Sequence, residues 1–373
     1  MSREINTTHQ IALLATGDEI CQGDIANSNS QEIAHKLRLA NMEVRLHVSA
    51  PDTIREIKNS MNFLLEEHQA LVITGGLGPT SDDLTRFALS EVIGKPLIFD
   101  EPTWQALCLR LQKLGYPIPP ESNRQQALFP AGATIIPNPN GTAAGCMVEF
   151  SGKWIFLLPG PPNECLPMID EVVIPTLTRA NFSRTQFHRS WYLFSVSEGK
   201  IAEELDALLK PYDCITGYRL FYPYLEFKIL SPHEAEFQKA LPLVEKVIAP
   251  YLIGDGQHIA SYLLREKLKM QSTVLTICDR ATGGALEAAL KTPATHKKLN
   301  FLPDASSLPR IEINGLLDYW LGTQDIYTTD LETQLINEKH HEKFTQEIPF
   351  RGKRVIHYAV ELVCKQIYEW LQH

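Results

Sequence analysis

The feature that most constrains this chain is the run Ala70-Leu71-Val72-Ile73-Thr74-Gly75-Gly76-Leu77-Gly78-Pro79-Thr80-Ser81-Asp82-Asp83-Leu84-Thr85. Leu71 to Ile73 reads as a buried strand, because it is apolar, rich in β-branched residues and stopped abruptly by glycine. Three glycines and a proline then make a loop that bends sharply and brings backbone N–H groups close to a ligand. Leu84, Phe87, Ala88 and Val92 follow at the spacing of one helical face. A strand, a glycine loop and a helix start suit a phosphate, since free N–H groups and the helix dipole both favour negative charge. Asp82 and Asp83 oppose that charge unless a divalent cation lies between. Local pattern alone leaves two readings, a ligand loop or a plain turn in which one aspartate caps the helix. The run matches neither the P-loop nor the Gly-x-Gly-x-x-Gly dinucleotide fingerprint.

Around this centre the first ninety or so residues read β-α-β-α-β-α, a three-layer α/β domain with a largely parallel sheet. His9 to Thr16 is a buried strand ending at Gly17-Asp18-Glu19, and Ser28-Asn29-Ser30 supplies N-cap residues for a helix carrying Ile33, Ala34, Leu37 and Ala40. Val44 to Val48 is an alternating strand, and Thr53 with Glu56 forms a capping box before Ile54, Ile57, Met61, Leu64 and Leu65. A helix over Thr103 to Leu114 precedes the proline-rich turn at Pro117-Ile118-Pro119-Pro120. Cys146 to Phe150 and Trp154 to Leu158 read as a hairpin turned at Ser151-Gly152, and the second strand stops at Pro159-Gly160-Pro161-Pro162-Asn163-Glu164. Ligands of open α/β sheets sit at the carboxyl ends of strands, where Gly17 to Glu19, Gly75 to Asp83 and Pro159 to Glu164 all fall.

At 373 residues the chain is too long for one ordinary domain. The domains divide as residues 1–174, a small α+β module over 175–255, and a third segment over 256–373. In the module, Trp191 to Ser195 and Leu225 to Leu230 read as strands and Lys200 to Leu209 as a helix. Ser231-Pro232-His233-Glu234 reads as a capping box opening a helix in which Pro242 predicts a kink. The third segment offers a helix through Ile259 to Leu268, a strand over Ser272 to Cys278, a helix after Thr282-Gly283-Gly284, and a final helix carrying Val355, Ala359, Leu362, Val363, Ile367 and Trp370. No apolar run is long enough to span a bilayer, and Met1 to Asn6 lacks a signal-peptide profile. Seven scattered cysteines with no Cys-x-x-Cys pair point to reduced thiols and a cytoplasmic location. A net charge of -9 argues against direct nucleic-acid binding.

These loops, in this order, resemble the CinA family (competence/damage-inducible protein A), whose N-terminal domain has a MoaB/MogA/MoeA-like, molybdopterin-binding-type fold. The resemblance is carried by Gly17-Asp18-Glu19, Gly23, Asn27 to Ser30, Gly75 to Thr80 with Asp82, Asp83 and Thr85, and then by Asn123, Gln126-Ala127, Pro130, Gly132-Ala133, Asn138, Gly141 to Ala143, Gly145, Pro159 to Pro162 and Glu164. It implies a metal-dependent ADP-ribose pyrophosphatase, using magnesium, manganese or cobalt with potassium, in a homodimer. On that reading Asp83, Asp18 and Glu19 hold metal, and Asp83, Asp82 and Glu164 serve catalysis, the alternatives being that Asp82 instead caps the helix and that Glu164 binds the ribose. Gly75, Gly76, Gly78, Pro79, Thr80, Asn29 and Gly160 contact substrate. Two rivals are a nucleotide- or molybdopterin-binding protein without turnover and a partner-binding protein linked to competence or DNA damage.

The third segment departs from the family pattern. Where many CinA-like proteins carry Ala-Glu-Ser-Cys-Thr-Gly-Gly in a nicotinamide mononucleotide deamidase, this chain has Cys278-Asp279-Arg280-Ala281-Thr282-Gly283-Gly284. The serine position holds Arg280, which cannot be an acyl nucleophile, and no Tyr-x-x-x-x-Lys stretch follows over Phe301 to Tyr319. Cys278 reads as a small core residue. The expectation is a degenerate deamidase domain.

Overall fold

The computed structural model describes residues 9–116, 120–184, 186–304, 307–323, 327–349 and 352–372. The readings of Met1 to Asn6 and of the turn at Pro117 to Pro119 lie outside them. The chain divides into two compact units, Met1–Thr185 and Gln186–His373.

In the first unit the apolar strands are apolar because both faces of their sheet are covered. Its elements run β1 (Ile11–Thr16), α1 (Asp18–Gln22), α2 (Ser28–Leu39), β2 (Val44–Ala50), α3 (Ile54–Glu67), β3 (Ala70–Thr74), α4 (Thr85–Ile93), β4 (Leu97–Phe99), α5 (Glu101–Lys113), β5 (Leu128–Pro130), β6 (Thr134–Ile136), β7 (Gly145–Phe150), β8 (Lys153–Leu158), α6 (Pro162–Met168) and α7 (Ile174–Arg179). The main sheet has the order β2-β1-β3-β8-β7-β6. The first four strands are parallel, while β7 and β6 run antiparallel. Alternate residues feed opposite cores. Leu14, Leu71, Ile73 and Leu157 pack with Ile57, Met61 and Leu64 of α3 and with Ala88 and Leu89 of α4. Leu13, Val72, Phe156 and Leu158 pack with Ile33 and Leu37 of α2 and with Met168 and Leu177 beyond β8. The arrangement is the expected three-layer α/β fold with a largely parallel sheet.

Several local expectations need correction. The side chain that caps α2 is Asn27, which accepts from the Ser30 N–H at 3.1 Å, one residue before the Ser28-Asn29-Ser30 run. Helix α4 starts at Thr85 with no side-chain cap, so neither Asp82 nor Asp83 caps it. Its buried residues are Thr85, Arg86, Ala88, Leu89 and Ile93, whereas Leu84, Phe87 and Val92 are half-buried. The stripe is rotated because an arginine, which polarity alone places outside, faces inward.

The second unit holds two sheets. β9 (Phe187–Phe194), α8 (Glu198–Leu209), β10 (Ile215–Phe221), β11 (Tyr224–Ser231) and α9 (Glu234–Ile248) come first. The strands form an antiparallel sheet in the order β10-β11-β9, and α8 and α9 pack on Trp191, Leu225 and Phe227. Ser231 does not cap α9; its hydroxyl donates to the Asp213 carbonyl at 2.7 Å and accepts from the His233 N–H at 3.1 Å. Helix α9 continues across Pro242 without a break in its assignment. Then follow α10 (Ala260–Met270), β12 (Leu275–Asp279), α11 (Ala285–Leu290), β13 (Leu299–Phe301), β14 (Arg310–Gly315), α12 (Leu317–Leu321), β15 (Thr328–Ile336), β16 (His341–Pro349) and α13 (Arg354–Trp370). The second sheet, β13-β12-β14-β15-β16, contributes Ile277, Ile311 and Leu335 to a core shared with α10, α11 and α13. Among the described residues no helix is long and apolar enough to cross a membrane.

Leu71 is fully buried between β1 and β8. Leu71→Ala is therefore expected to lower the unfolding free energy of the first unit by about 2–5 kcal/mol in urea titration, and a cost near zero would contradict this packing.

Candidate functional site

Because β1, β2, β3 and β8 are parallel, their carboxyl ends lie on one rim, and the segments leaving them enclose a cavity of about 530 Å³. Gly17 and Glu19 follow β1, Asp52 follows β2, Gly75 to Pro79 with Asp82 and Asp83 follow β3, and Pro159 to Pro162 with Glu164 follow β8; Asn29 of α2 also lines the space.

The glycine loop crosses closer to its neighbours than other residues allow. Gly75 and Gly76 have φ of 102° and 63°. A Cβ on Gly75 would strike the Thr16 carbonyl, and one on Gly76 would strike the Thr85 hydroxyl, which is itself 3.1 Å from Thr16 Oγ1. The loop's carbonyls are tied back. Gly76 O accepts from the Thr85 N–H at 3.3 Å, Leu77 O from Arg86 Nη1 at 2.8 Å, and Gly78 O from Gln125 Nε2 at 2.9 Å. In a trans peptide the C=O and the following N–H point opposite ways, so the Leu77 and Gly78 N–H groups turn away from these anchors. Among the described residues no acceptor takes the N–H of Gly76, Leu77 or Gly78.

The side chains around the loop are acidic. Glu19, Asp52, Asp82, Asp83 and Glu164 line the cavity, and among the described residues no Lys, Arg or His does. Asp83 Oδ2 accepts from the Thr80 N–H at 2.8 Å and from its hydroxyl at 2.5 Å, which closes the loop on itself. The Asp82 carboxyl is held below the usual range by the Thr80 hydroxyl and by its own backbone N–H. Glu164 Oε2 accepts from Asn138 Nδ2 at 2.6 Å, and the same amide nitrogen donates to Ala143 O at 3.0 Å, which fixes the carboxylate beside the 138–144 segment. Asn29 donates through Nδ2 to the Gly160 carbonyl and leaves its buried Oδ1 without a partner.

Of the residues singled out by sequence, Glu19, Asn29, Gly75, Gly76, Gly78, Pro79, Asp82, Asp83, Gly160 and Glu164 come together here. Asp18 does not line the cavity. Its Oδ1 accepts from the Asp52 N–H at 3.0 Å while its own N–H donates to Asp52 Oδ2 at 3.0 Å. Thr80 is exposed and acts through Asp83. Sequence reasoning missed Asp52, whose Oδ1 is buried without a partner. Burial, then the charges of Asp18, Glu19 and Asp82, push its carboxyl above the usual range against the lowering effect of the Asp18 N–H. Its sequence signal was its position two residues past the second strand, on the same rim. Arg86, beneath the loop, was also missed. Among the described residues no group of three or more His, Cys, Asp or Glu is placed to cage a metal.

In the second unit the Thr282-Gly283-Gly284 turn is closed. Asp279 Oδ1 accepts the N–H groups of Ala281 and Thr282 at 3.0 and 2.8 Å, and Trp320 Nε1 donates to Ala281 O at 2.7 Å. Arg280 is turned to Asp304, at 2.5 Å, and Cys278 is buried on β12.

Comparison with known proteins matches residues 12–179 to the family model described as "Probable molybdopterin binding domain". A competence-damage inducible protein of Caldanaerobacter subterraneus is 30% identical over 301 residues, 79% of this chain and 70% of that protein. A CinA-like protein of Geotalea uraniireducens is 29% identical over 88% of this chain and 77% of its own length. The crystal structure of CinA from Thermoplasma acidophilum, described as of unknown function, shares 28% identity over 46% of this chain and 99% of its own, with a TM-score of 0.43.

Gly76→Ala is expected to displace Thr85 and reorient the loop. Urea titration should show the first unit destabilised by about 1–3 kcal/mol. Wild-type stability would contradict the close approach described here.

Proposed function

This chain belongs to the CinA-like, competence-damage inducible family, and we propose that its amino-terminal cavity hydrolyses ADP-ribose or a related nucleotide pyrophosphate with a divalent metal. The observation that carries this reading is a glycine loop offering N–H groups to an anion inside a cavity whose ionisable side chains are all carboxylates. Such a cavity repels a bare phosphate and accepts one that arrives with a cation. The donor set suits an ion shared with substrate phosphates better than a protein cage, since magnesium-type ions commonly take one or two carboxylates and keep several waters. Glu19 and Asp83 are the proposed ligands, since the Asp18 carboxylate is engaged with the Asp52 backbone N–H. When bound, the metal would neutralise charge on the pyrophosphate.

The chain's own groups do the rest. The Leu77 and Gly78 N–H groups hold non-bridging phosphate oxygens and stabilise the charge that develops on them. Asn29 and Gly160 bound the neighbouring part of the ligand. Glu164, oriented by Asn138, takes the proton from the attacking water, and a P–O bond of the pyrophosphate breaks to leave AMP and ribose phosphate. A homodimer and a potassium requirement are part of the same proposal. The second unit is proposed to lack deamidase activity, because Arg280 stands at the nucleophile position and is committed to Asp304.

The test is incubation with ADP-ribose, with and without added magnesium, manganese or cobalt, and separation of products. AMP and ribose phosphate should form only with metal. Asp83→Asn, which keeps an oxygen for Thr80, should remove most metal-dependent turnover, and Glu164→Gln should lower kcat by about 10²-fold. Unchanged rates in both variants would remove the assignments. Nicotinamide mononucleotide should release no ammonia, and release by the wild-type chain would overturn the reading of the second unit.

A further inference from the structure

Arg86 is one of the largest fully buried side chains in the molecule, at 2% exposure, and no carboxylate among the described residues lies within ion-pair distance of it. Its acceptors are carbonyls: Nη1 donates to Leu77 O at 2.8 Å and Nη2 to Ala144 O at 3.1 Å. The Phe129 ring lies 5.6 Å from its Cζ. Burial pulls the guanidinium down to about 10, and it stays charged at neutral pH. The Cys146 thiol beside it is pushed up to about 12 by burial and supplies no counter-charge. Its hydrogen bonds go to neutral carbonyls, and the Asp83 carboxylate favours its charge only from beyond ion-pair distance. A buried cation so held is costly, and an apolar side chain of similar volume fills such a space at lower cost.

The two carbonyls identify what this cost secures. Leu77 belongs to the glycine loop and Ala144 to the segment entering β7, and the neighbouring Ala143 lines the opposite side of the same cavity. Pinning Leu77 O toward Arg86 turns the Gly78 N–H the other way, by peptide planarity. We propose that Arg86 is a positioning residue of the cavity, which aims the Gly78 N–H at a ligand phosphate, sets the gap between the glycine loop and residues 141–145, and supplies from beneath the positive charge that the lining lacks. This rests on the reading of the cavity as a phosphate site, although not on hydrolysis. Arginine is suited to the role because its planar fork reaches two carbonyls at once, whereas a lysine ammonium holds the charge without the fixed geometry.

The experiment compares wild type, Arg86→Met and Arg86→Lys by steady-state kinetics with ADP-ribose and magnesium, and by calorimetric titration with inorganic pyrophosphate and magnesium. Arg86→Met should raise KM and weaken pyrophosphate binding about tenfold or more, roughly 1.4 kcal/mol per tenfold. Arg86→Lys should restore binding to within a few-fold of wild type while kcat stays low, a split that loss of packing alone would not produce. A folded Arg86→Met with wild-type KM and pyrophosphate affinity overturns the proposal. If that variant does not fold, Arg86→Lys decides: wild-type kcat and KM overturn the two-carbonyl role, and a lowered kcat with near wild-type KM supports it. If wild type turns over no ADP-ribose yet binds pyrophosphate more tightly than Arg86→Met, the hydrolase reading fails and the assignment of Arg86 stands. If wild type binds neither ligand, both fail.

Discussion

Peptide planarity is the constraint on which this site depends. Once the carbonyls of Gly76, Leu77 and Gly78 are held by Thr85, Arg86 and Gln125, the intervening N–H groups can only face the other way. The sheet provides the frame for this. The parallel strands β1, β3 and β8, covered on both faces, leave only their ends for chemistry, and the tight Thr16–Gly75 and Thr85–Gly76 approaches keep the loop against that end.

The second governing fact is electrostatic. A loop that presents N–H groups attracts anions, yet among the described residues every ionisable side chain lining the cavity is an acid. The two tendencies are reconciled if ligand and cation enter together, or if charge behind the wall offsets charge on it. Burial, and then the charges of Asp18, Glu19 and Asp82, raise the Asp52 carboxyl, and the buried Arg86 is a positive charge built in beneath the loop. Cavities of this kind make affinity depend on metal and on ionic strength more than on apolar fit.

Much of this was legible in the sequence. The strand, glycine loop and helix around Gly75 to Gly78 were readable because a buried parallel strand is a continuous apolar run and glycine marks where it ends. The rim was readable because Gly17, Gly75 and Gly160 each follow such a run. Arg86 was not, since polarity places arginine outside and only the fold supplies two buried carbonyls for it. Asp52 carried no motif of its own and became visible only when β2 was set beside β1. In the second unit β15 was hidden because Thr329 and Thr333 take buried positions that an apolar alternation would mark, and β16 because most of its residues are exposed and polar. The α2 cap was misplaced because Asn27, Ser28, Asn29 and Ser30 all suit the position, and α9 has no side-chain cap because Ser231 bonds to Asp213 and His233 instead.

The account's central claim is that a phosphate enters this acidic cavity only together with a divalent cation. Calorimetric titration of ADP-ribose into the full chain, once with magnesium and once with a chelator, tests it most directly. Saturable binding with magnesium and none detectable with the chelator is the predicted result. Equal affinity in both conditions would mean that the carboxylates face away from the bound phosphates, and the account would be wrong at its centre.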